Sequence, residues 1–162
     1  ETYMAVIRGK TAMLFEASSH SAAVLAGADA EQAEALRVFG DHLGVAFQLM
    51  DDLLDYRGDA QAMGKNVGDD LAEGKPTLPL IHAMREGTPA QAELVRKAIQ
   101  QGGSQDLESI RAAVEAAGSL DYTAQLARHY AEKAIQCLST LPASTYRDAL
   151  TELTRFAVAR SI

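Results

Sequence analysis

Apolar residues return every three or four positions along nearly the whole chain, and no stretch shows the strict alternation of a half-buried strand. Residues 2–17 carry this pattern without proline, with Gly9 as an interruption, and residues 19–26 extend it to Gly27. Asp29 stands where an N-cap belongs for a long helix over 30–57, with Gly58 as its stop. Residues 58–76 hold four glycines, six charged residues and Pro76, which predicts a polar loop with room for one short turn. Thr77 is placed to cap a helix through Met84, with Pro79 in its first turn. Thr88-Pro89 opens the next helix and Gly102-Gly103 closes it; Ser104 or Asp106 starts another, closed by Gly118. A helix from Asp121 to Leu138 follows. Leu141-Pro142 breaks the pattern, and Ser144 caps a last helix over 145–160. The pattern predicts an all-α bundle.

One segment departs from ordinary amphipathic design. In Phe47-Gln48-Leu49-Met50-Asp51-Asp52-Leu53-Leu54-Asp55-Tyr56, three carboxylates fall within about one helical turn among large apolar residues. At 100° per residue, Gln48, Asp51, Asp52 and Asp55 share a stripe roughly 100° wide. Leu36, Phe39, Leu43, Phe47, Met50 and Leu54 lie on a neighbouring arc. Like charges at this spacing repel, more so if desolvated, so something positive belongs against them. Gly40 and Gly44 lie on or beside the stripe, where each costs about 1 kcal/mol relative to alanine. They mark a face that borders a close neighbour or a cavity. The loop beyond the helix then brings Lys65 and Lys75, further acids and glycines. Together these are what a diphosphate–metal complex needs: acids for Mg2+, lysines for phosphate oxygens, and glycines for close backbone approach.

Composition narrows the field. The chain has 162 residues, 48% apolar and 6% aromatic, with many alanines, which favours close-packed helices. A net charge of −7 without a basic block argues against a nucleic-acid partner. The single Cys137 leaves no intrachain disulfide and fits a reducing, cytoplasmic compartment. No apolar run approaches the roughly 20 residues of a membrane span. The chain begins at Glu1 inside what reads as a helix, so it looks like a piece of something longer.

Other motifs fail on spacing. Gly68 to Gly74 encloses five residues where a P-loop needs four, and Pro76 stands where that loop requires Ser or Thr. The acids lack EF-hand alternation. His20, His42, His82 and His129 show no zinc spacing with one another or with Cys137, and read as surface or helix residues. Cys137, beside Leu138, reads as core.

The run Gln48 to Asp55, followed by Gly64-Lys65, Gly68-Asp69-Asp70-Leu71 and Glu73-Gly74-Lys75-Pro76-Thr77-Leu78-Pro79, closely resembles the second aspartate-rich region of trans-isoprenyl diphosphate synthases, most of all their long-chain bacterial branch. Tyr3, Ile7, Lys10-Thr11-Ala12 and Leu14-Phe15 resemble that family's Lys-Thr helix, and Tyr122, Tyr130, Ala134, Leu141-Pro142 and Arg160 are similar to its later pattern. The resemblance implies an isoprenoid-synthase-type bundle that binds an allylic diphosphate through Mg2+ between two facing acidic motifs. It condenses that substrate with isopentenyl diphosphate. It also implies site roles. Asp51 ligates a magnesium ion, with Asp52 and Asp55 beside it or acting through metal-bound water. Lys10, Lys65 and Lys75 bind diphosphate, and Asp70 orders the metal-water shell or Lys65. Thr11 and Gln48 present oxygens to the developing cation, while alanines and the two glycines leave a dry tunnel open.

The chain departs from that family in length. Members are about twice as long and carry another Asp-Asp-x-x-Asp motif and a Gly-Lys-x-x-Arg segment in their amino-terminal half, and neither is present in these 162 residues. The expectation is therefore the carboxy-terminal part of a polyprenyl synthetase domain, inactive by itself, with product length unreadable. The exposed helix faces and the first segment, with Met4, Ile7 and Leu14, lead to an expected homodimer. The alternatives are a non-catalytic subunit of a heteromeric prenyl synthase, a class I terpene cyclase, which usually carries an Asn-Ser-Glu-type motif instead, and a helical interaction domain with a solvated acidic face.

Overall fold

The computed structural model describes residues 1–57, 68–101 and 107–159, and every element among them is helical. Helix α1 (Thr2–Ile7), a π turn (Arg8–Ala12) and α2 (Met13–Leu25) follow one another without a break. The helix thus widens around Gly9, where the sequence pattern predicted an interruption. Helix α3 (Ala30–Arg57) begins as expected: the Gln32 N–H donates to Asp29 Oδ1 at 2.8 Å, a cap worth about 1 kcal/mol.

The short turn expected in the polar loop is α4 (Asp69–Ala72), flanked by Gly68 at φ 86° and Gly74 at φ 68°. A side chain is strained in that left-handed backbone, which glycine enters freely. Helix α5 (Leu78–Glu86) runs two residues past its predicted end. Thr77 occupies its N-cap position, but the hydroxyl makes no capping bond, contrary to the prediction. Helix α6 (Pro89–Gln101) has a reciprocal cap, in which the Thr88 N–H donates to Gln91 Oε1 at 2.8 Å and the Gln91 N–H to Thr88 Oγ1 at 3.3 Å. Helix α7 (Leu107–Ala116) ends at Gly118, φ 65°. Helix α8 (Ser119–Cys137) starts two residues before the predicted Asp121 and closes in a 3₁₀ turn (Leu138–Thr140). In α9 (Thr145–Ala159), the Arg147 N–H reaches Ser144 Oγ at 3.2 Å. The predicted boundaries at Gly58, Gly102-Gly103 and Ser104 or Asp106, and the matches at Gly64, Lys65 and Arg160, lie outside the described residues.

The chain divides into two packed units, Glu1–Met50 with Leu126 onward, and Asp51–Gln125. In the first, Phe39, Leu43, Ala134, Leu138 and Ala157 form a buried cluster, with Phe15, Leu36 and Cys137 against it. Cys137 thus packs on the core, as expected. Ala127, Ala131 and Ala134 return at helical spacing on α8 and are all buried, the small-residue surface that close helices need. Gly40 and Gly44 serve the same end. A Cβ on Gly40 would sit 2.5 Å from the Phe15 carbonyl oxygen, and one on Gly44 would sit 2.5 Å from Ala12 Cα. They border a neighbouring backbone, which corrects the expectation that they hold a tunnel open. Ile7 is 4% exposed and so packs within the unit, whereas Leu14 is 72% and Phe156 64% exposed. Of the three residues expected to form a dimer face, Ile7 is therefore unavailable.

In the second unit, α5, α6 and α7 pack on one another, with α4 against α6. Leu53, Tyr56, Leu71, Leu80, Val95, Ile110 and Val114 are nearly fully buried. Each large apolar side chain contributes about 1.5–3 kcal/mol on burial. Two histidines are less plain than predicted. His82 Nδ1 lies 3.0 Å from Ser119 Oγ with its ring stacked on Tyr122, and in the first unit His42 sits edge-on to Tyr130. Among the described residues, no helix is long and apolar enough to cross a membrane.

Candidate functional site

Helix α3 carries candidate residues in each unit: Gln48 in the first, and Asp51, Asp52 and Asp55 in the second. In the first unit, the π turn presents Lys10 and Thr11. Such turns are rare and recur at functional sites. Thr11 Oγ1 donates to Gln48 Oε1 at 2.7 Å, so two residues 37 positions apart in the chain meet as expected. Gln48 is 8% exposed, Thr11 is half-buried, and Lys10 is exposed.

In the second unit, the aspartates are not a solvated face. Asp52 is 3% and Asp55 8% exposed, and Asp51 is half-buried. The loop that returns to them is anchored on Asp55 itself. The Gly68 N–H donates to the Asp55 carbonyl at 3.0 Å, and the Asp70 N–H donates to Asp55 Oδ2 at 3.3 Å. Burial, and then the charges of Asp70 and Asp69, push the Asp55 carboxyl up to about 6, while the backbone N–H donors oppose the shift. Desolvation and like charges both disfavour the ionised form of this carboxyl.

Lys75 follows on the same loop. Its Nζ donates to Asp70 Oδ1 at 3.0 Å and also pairs with Glu73; these two acids raise its pKa further above the ordinary lysine range. Asp70 was expected to order a metal shell or Lys65. It partners Lys75, and Lys65 lies outside the described residues. The sequence reading missed Glu73 as a partner and Asp69 as a source of the Asp55 shift, although both stood within the quoted loop. It also missed Tyr56 and Thr77. These hydroxyls are buried without a hydrogen bond, and burial pushes the Tyr56 phenol above its usual range while the nearby Thr77 hydroxyl opposes without reaching bonding geometry.

Hard oxygen donors on one turn suit a divalent cation such as Mg2+. Among the described residues, no three His, Cys, Asp or Glu side chains converge as a closed cage. Mg2+ binds through one or two carboxylates and completes its shell with water and phosphate oxygens, so this donor set fits an ion shared with a phosphate ligand.

The Polyprenyl synthetase family model matches residues 1–117. The octaprenyl diphosphate synthase of Escherichia coli K12 is 53% identical over 161 residues, covering 99% of this chain and 50% of its own length. The polyprenyl synthase of Caulobacter crescentus, solved with calcium and isoprenyl diphosphate, superposes with a TM-score of 0.91 at 46% identity, covering 99% of this chain and 49% of that one. The geranylgeranyl pyrophosphate synthase of Corynebacterium glutamicum, solved with isoprenyl diphosphate and magnesium, gives a TM-score of 0.88 at 29% identity, covering 98% and 46%. The chain spans about half the length of the relatives it matches.

Proposed function

This chain belongs to the polyprenyl synthetase family, and from that premise we propose that it is the carboxy-terminal, diphosphate-handling part of a polyprenyl diphosphate synthase. The reaction is Mg2+-dependent head-to-tail condensation. The allylic C1–O bond breaks with its electron pair leaving on diphosphate, the isopentenyl double bond forms the new bond to C1, and a proton is lost to the released diphosphate. The observation that carries this reading is the burial of Asp52 and Asp55 among the large apolar residues of α3, where a solvated acidic face would leave both exposed.

Asp51, Asp52 and Asp55 hold magnesium, directly or through water, and the bound ion supplies positive charge to the diphosphate. Lys10, Lys65 and Lys75 bind diphosphate oxygens, and Asp70 keeps Lys75 oriented through the bond it already accepts. The Thr11–Gln48 pair turns oxygen dipoles toward developing positive charge without placing a full anion there, where it would capture the cation. Relatives solved with divalent metal and isoprenyl diphosphate support the substrate and cofactor classes. Exposed Leu14, Leu153 and Phe156 support association as a homodimer, which light scattering of the full-length protein tests. A cytoplasmic location agrees with the half-buried free Cys137.

The test is incorporation of radiolabelled isopentenyl diphosphate into polyprenyl product, with farnesyl diphosphate and magnesium. The full-length protein incorporates label and the 162-residue chain alone does not. Incorporation by the chain alone overturns its assignment as an incomplete site, and none by the full-length protein overturns the enzymatic reading.

A further inference from the structure

We propose that Arg8 and Asp41 are a positioning pair: they fix the axial register between the π turn and α3, and so place Thr11 against Gln48. The catalytic consequence rests on the function proposed above; the brace itself rests on geometry. The two helical segments run antiparallel. Gly40 lies against Phe15, Glu16 and Ser19, Gly44 against Ala12, and Thr11 meets Gln48. Arg8, the first residue of the π turn, brings its Nε to Asp41 Oδ1 at 3.2 Å and Oδ2 at 3.5 Å, joining positions 33 residues apart.

Beyond the turn, Phe15 packs against Phe47 and Glu16 pairs with Arg37, so the far flank is tied to α3; Arg8–Asp41 ties the near flank. The π turn makes the need acute. Its reversion to α geometry would shift the register by one residue, rotating Lys10 and Thr11 about 100° relative to one flank. The brace is also held from outside. Asp41 is 17% exposed with His42 Nδ1 at 3.3 Å, and the Arg8 guanidinium lies 6.0 Å from the Tyr130 ring, which Lys133 Nζ approaches at 5.6 Å.

The test compares Arg8→Met, Asp41→Asn and the reversed pair R8D/D41R in the full-length protein. Arg155→Met, which breaks a surface pair with Glu152, is the control. Prenyl-transfer kinetics and the NMR signals of the Gln48 side-chain amide are both measured. Each single variant lowers kcat by about 10- to 100-fold with KM for isopentenyl diphosphate within about twofold, since a misplacement near 1 Å has effects of this size. Each also moves the Gln48 amide signals, and the reversed pair recovers much of both. Arg155→Met does neither. Should Arg8→Met fail to fold, the near-isosteric Asp41→Asn carries the test. The brace is overturned by kcat within about twofold of wild type in both singles, by unmoved Gln48 signals, or by a reversed pair no better than either single. If the wild-type protein transfers no prenyl group, the functional reading falls while the Gln48 signals still decide the brace.

Discussion

Two clusters on the same helix reach their geometry by opposite means. At Gln48 the partner is a neutral hydroxyl, delivered by a π turn and by helices whose backbones nearly touch at Gly40 and Gly44. At Asp55 the partner is a loop, returned by glycines in the left-handed region and tied down by its own N–H groups. The first cluster is satisfied as it stands. In the second, burial and the neighbouring Asp70 and Asp69 carboxylates push the Asp55 carboxyl above its ordinary range.

The largest effect belongs to the charged cluster. In the full-length protein, Asp51→Ala lowers kcat by about 10²–10³-fold, or about 3–4 kcal/mol of transition-state stabilisation, measured by label incorporation at saturating magnesium. Thermal stability changes far less, since Asp51 is only half-buried. A loss of folding in step with the loss of rate would make the residue structural and end the contrast between the clusters.

The neutral cluster answers in stability. Gly44→Ala forces a Cβ to within 2.5 Å of Ala12 Cα, where backbone has to give. The strain, about 1–3 kcal/mol, exceeds the gain in helix propensity of up to about 1 kcal/mol. Denaturant unfolding of the full-length protein should therefore show net destabilisation of about 1–2 kcal/mol. An unchanged midpoint would mean that the helices part at no cost.

How much of this was legible depends on what kind of fact each residue expresses. The caps at Asp29, Thr88 and Ser144 could be read because a side-chain cap is decided within four residues. Thr77 has the same composition around it, but its hydroxyl lies beside the buried Tyr56, a tertiary preference that local pattern cannot carry. The aspartate stripe was visible as a violation of amphipathic order, and the burial of Asp52 and Asp55 agrees with it. The glycines were visible as a cost but not as a cause. Whether Gly44 borders a void or a backbone depends on Ala12, 32 positions away. Pairings set by loop closure, such as Lys75 with Asp70, follow from the αL glycines at 68 and 74, and the motif offered Lys65 equally well.

Asp55→Asn sharpens the comparison by making the two clusters alike. The folded carboxyl titrates near 6, above its ordinary value of 3.8, so the folded state binds more protons between those limits. By linkage, stability falls as pH rises from about 4 to about 6 and stays reduced above it. Asparagine removes the charge while its Oδ1 still accepts from the Asp70 N–H. At pH 7 without metal, Asp55→Asn therefore stabilises the full-length protein by about 1–2 kcal/mol, less than the full linkage value because neighbouring groups relax. The gain vanishes below pH 4 in the same unfolding experiment. It also reverses in saturating magnesium and diphosphate, where the wild type recovers binding energy that the variant lacks. Stabilisation that is independent of pH would trace the effect to packing.

The smallest effect separates Gly9 from the other helix glycines. A Cβ there meets nothing within 4 Å, so the steric reason that holds at Gly40 and Gly44 is absent. Alanine is favoured over glycine in a helix by about 1 kcal/mol, which corresponds to a rise in Tm of roughly 2–4 °C for a protein of this size or larger. That gain is available only while the π turn survives. If alanine instead favours regular α geometry, the residues on one side of the turn rotate, and Thr11 leaves Gln48 at the expense of a half-buried hydrogen bond worth about 1 kcal/mol. Gly9→Ala thus raises Tm with kcat unchanged when the contacts along α3 hold the wide turn, and leaves Tm flat with kcat reduced when glycine itself holds it. Measuring both on one variant assigns the π turn to its tertiary contacts or to its own backbone.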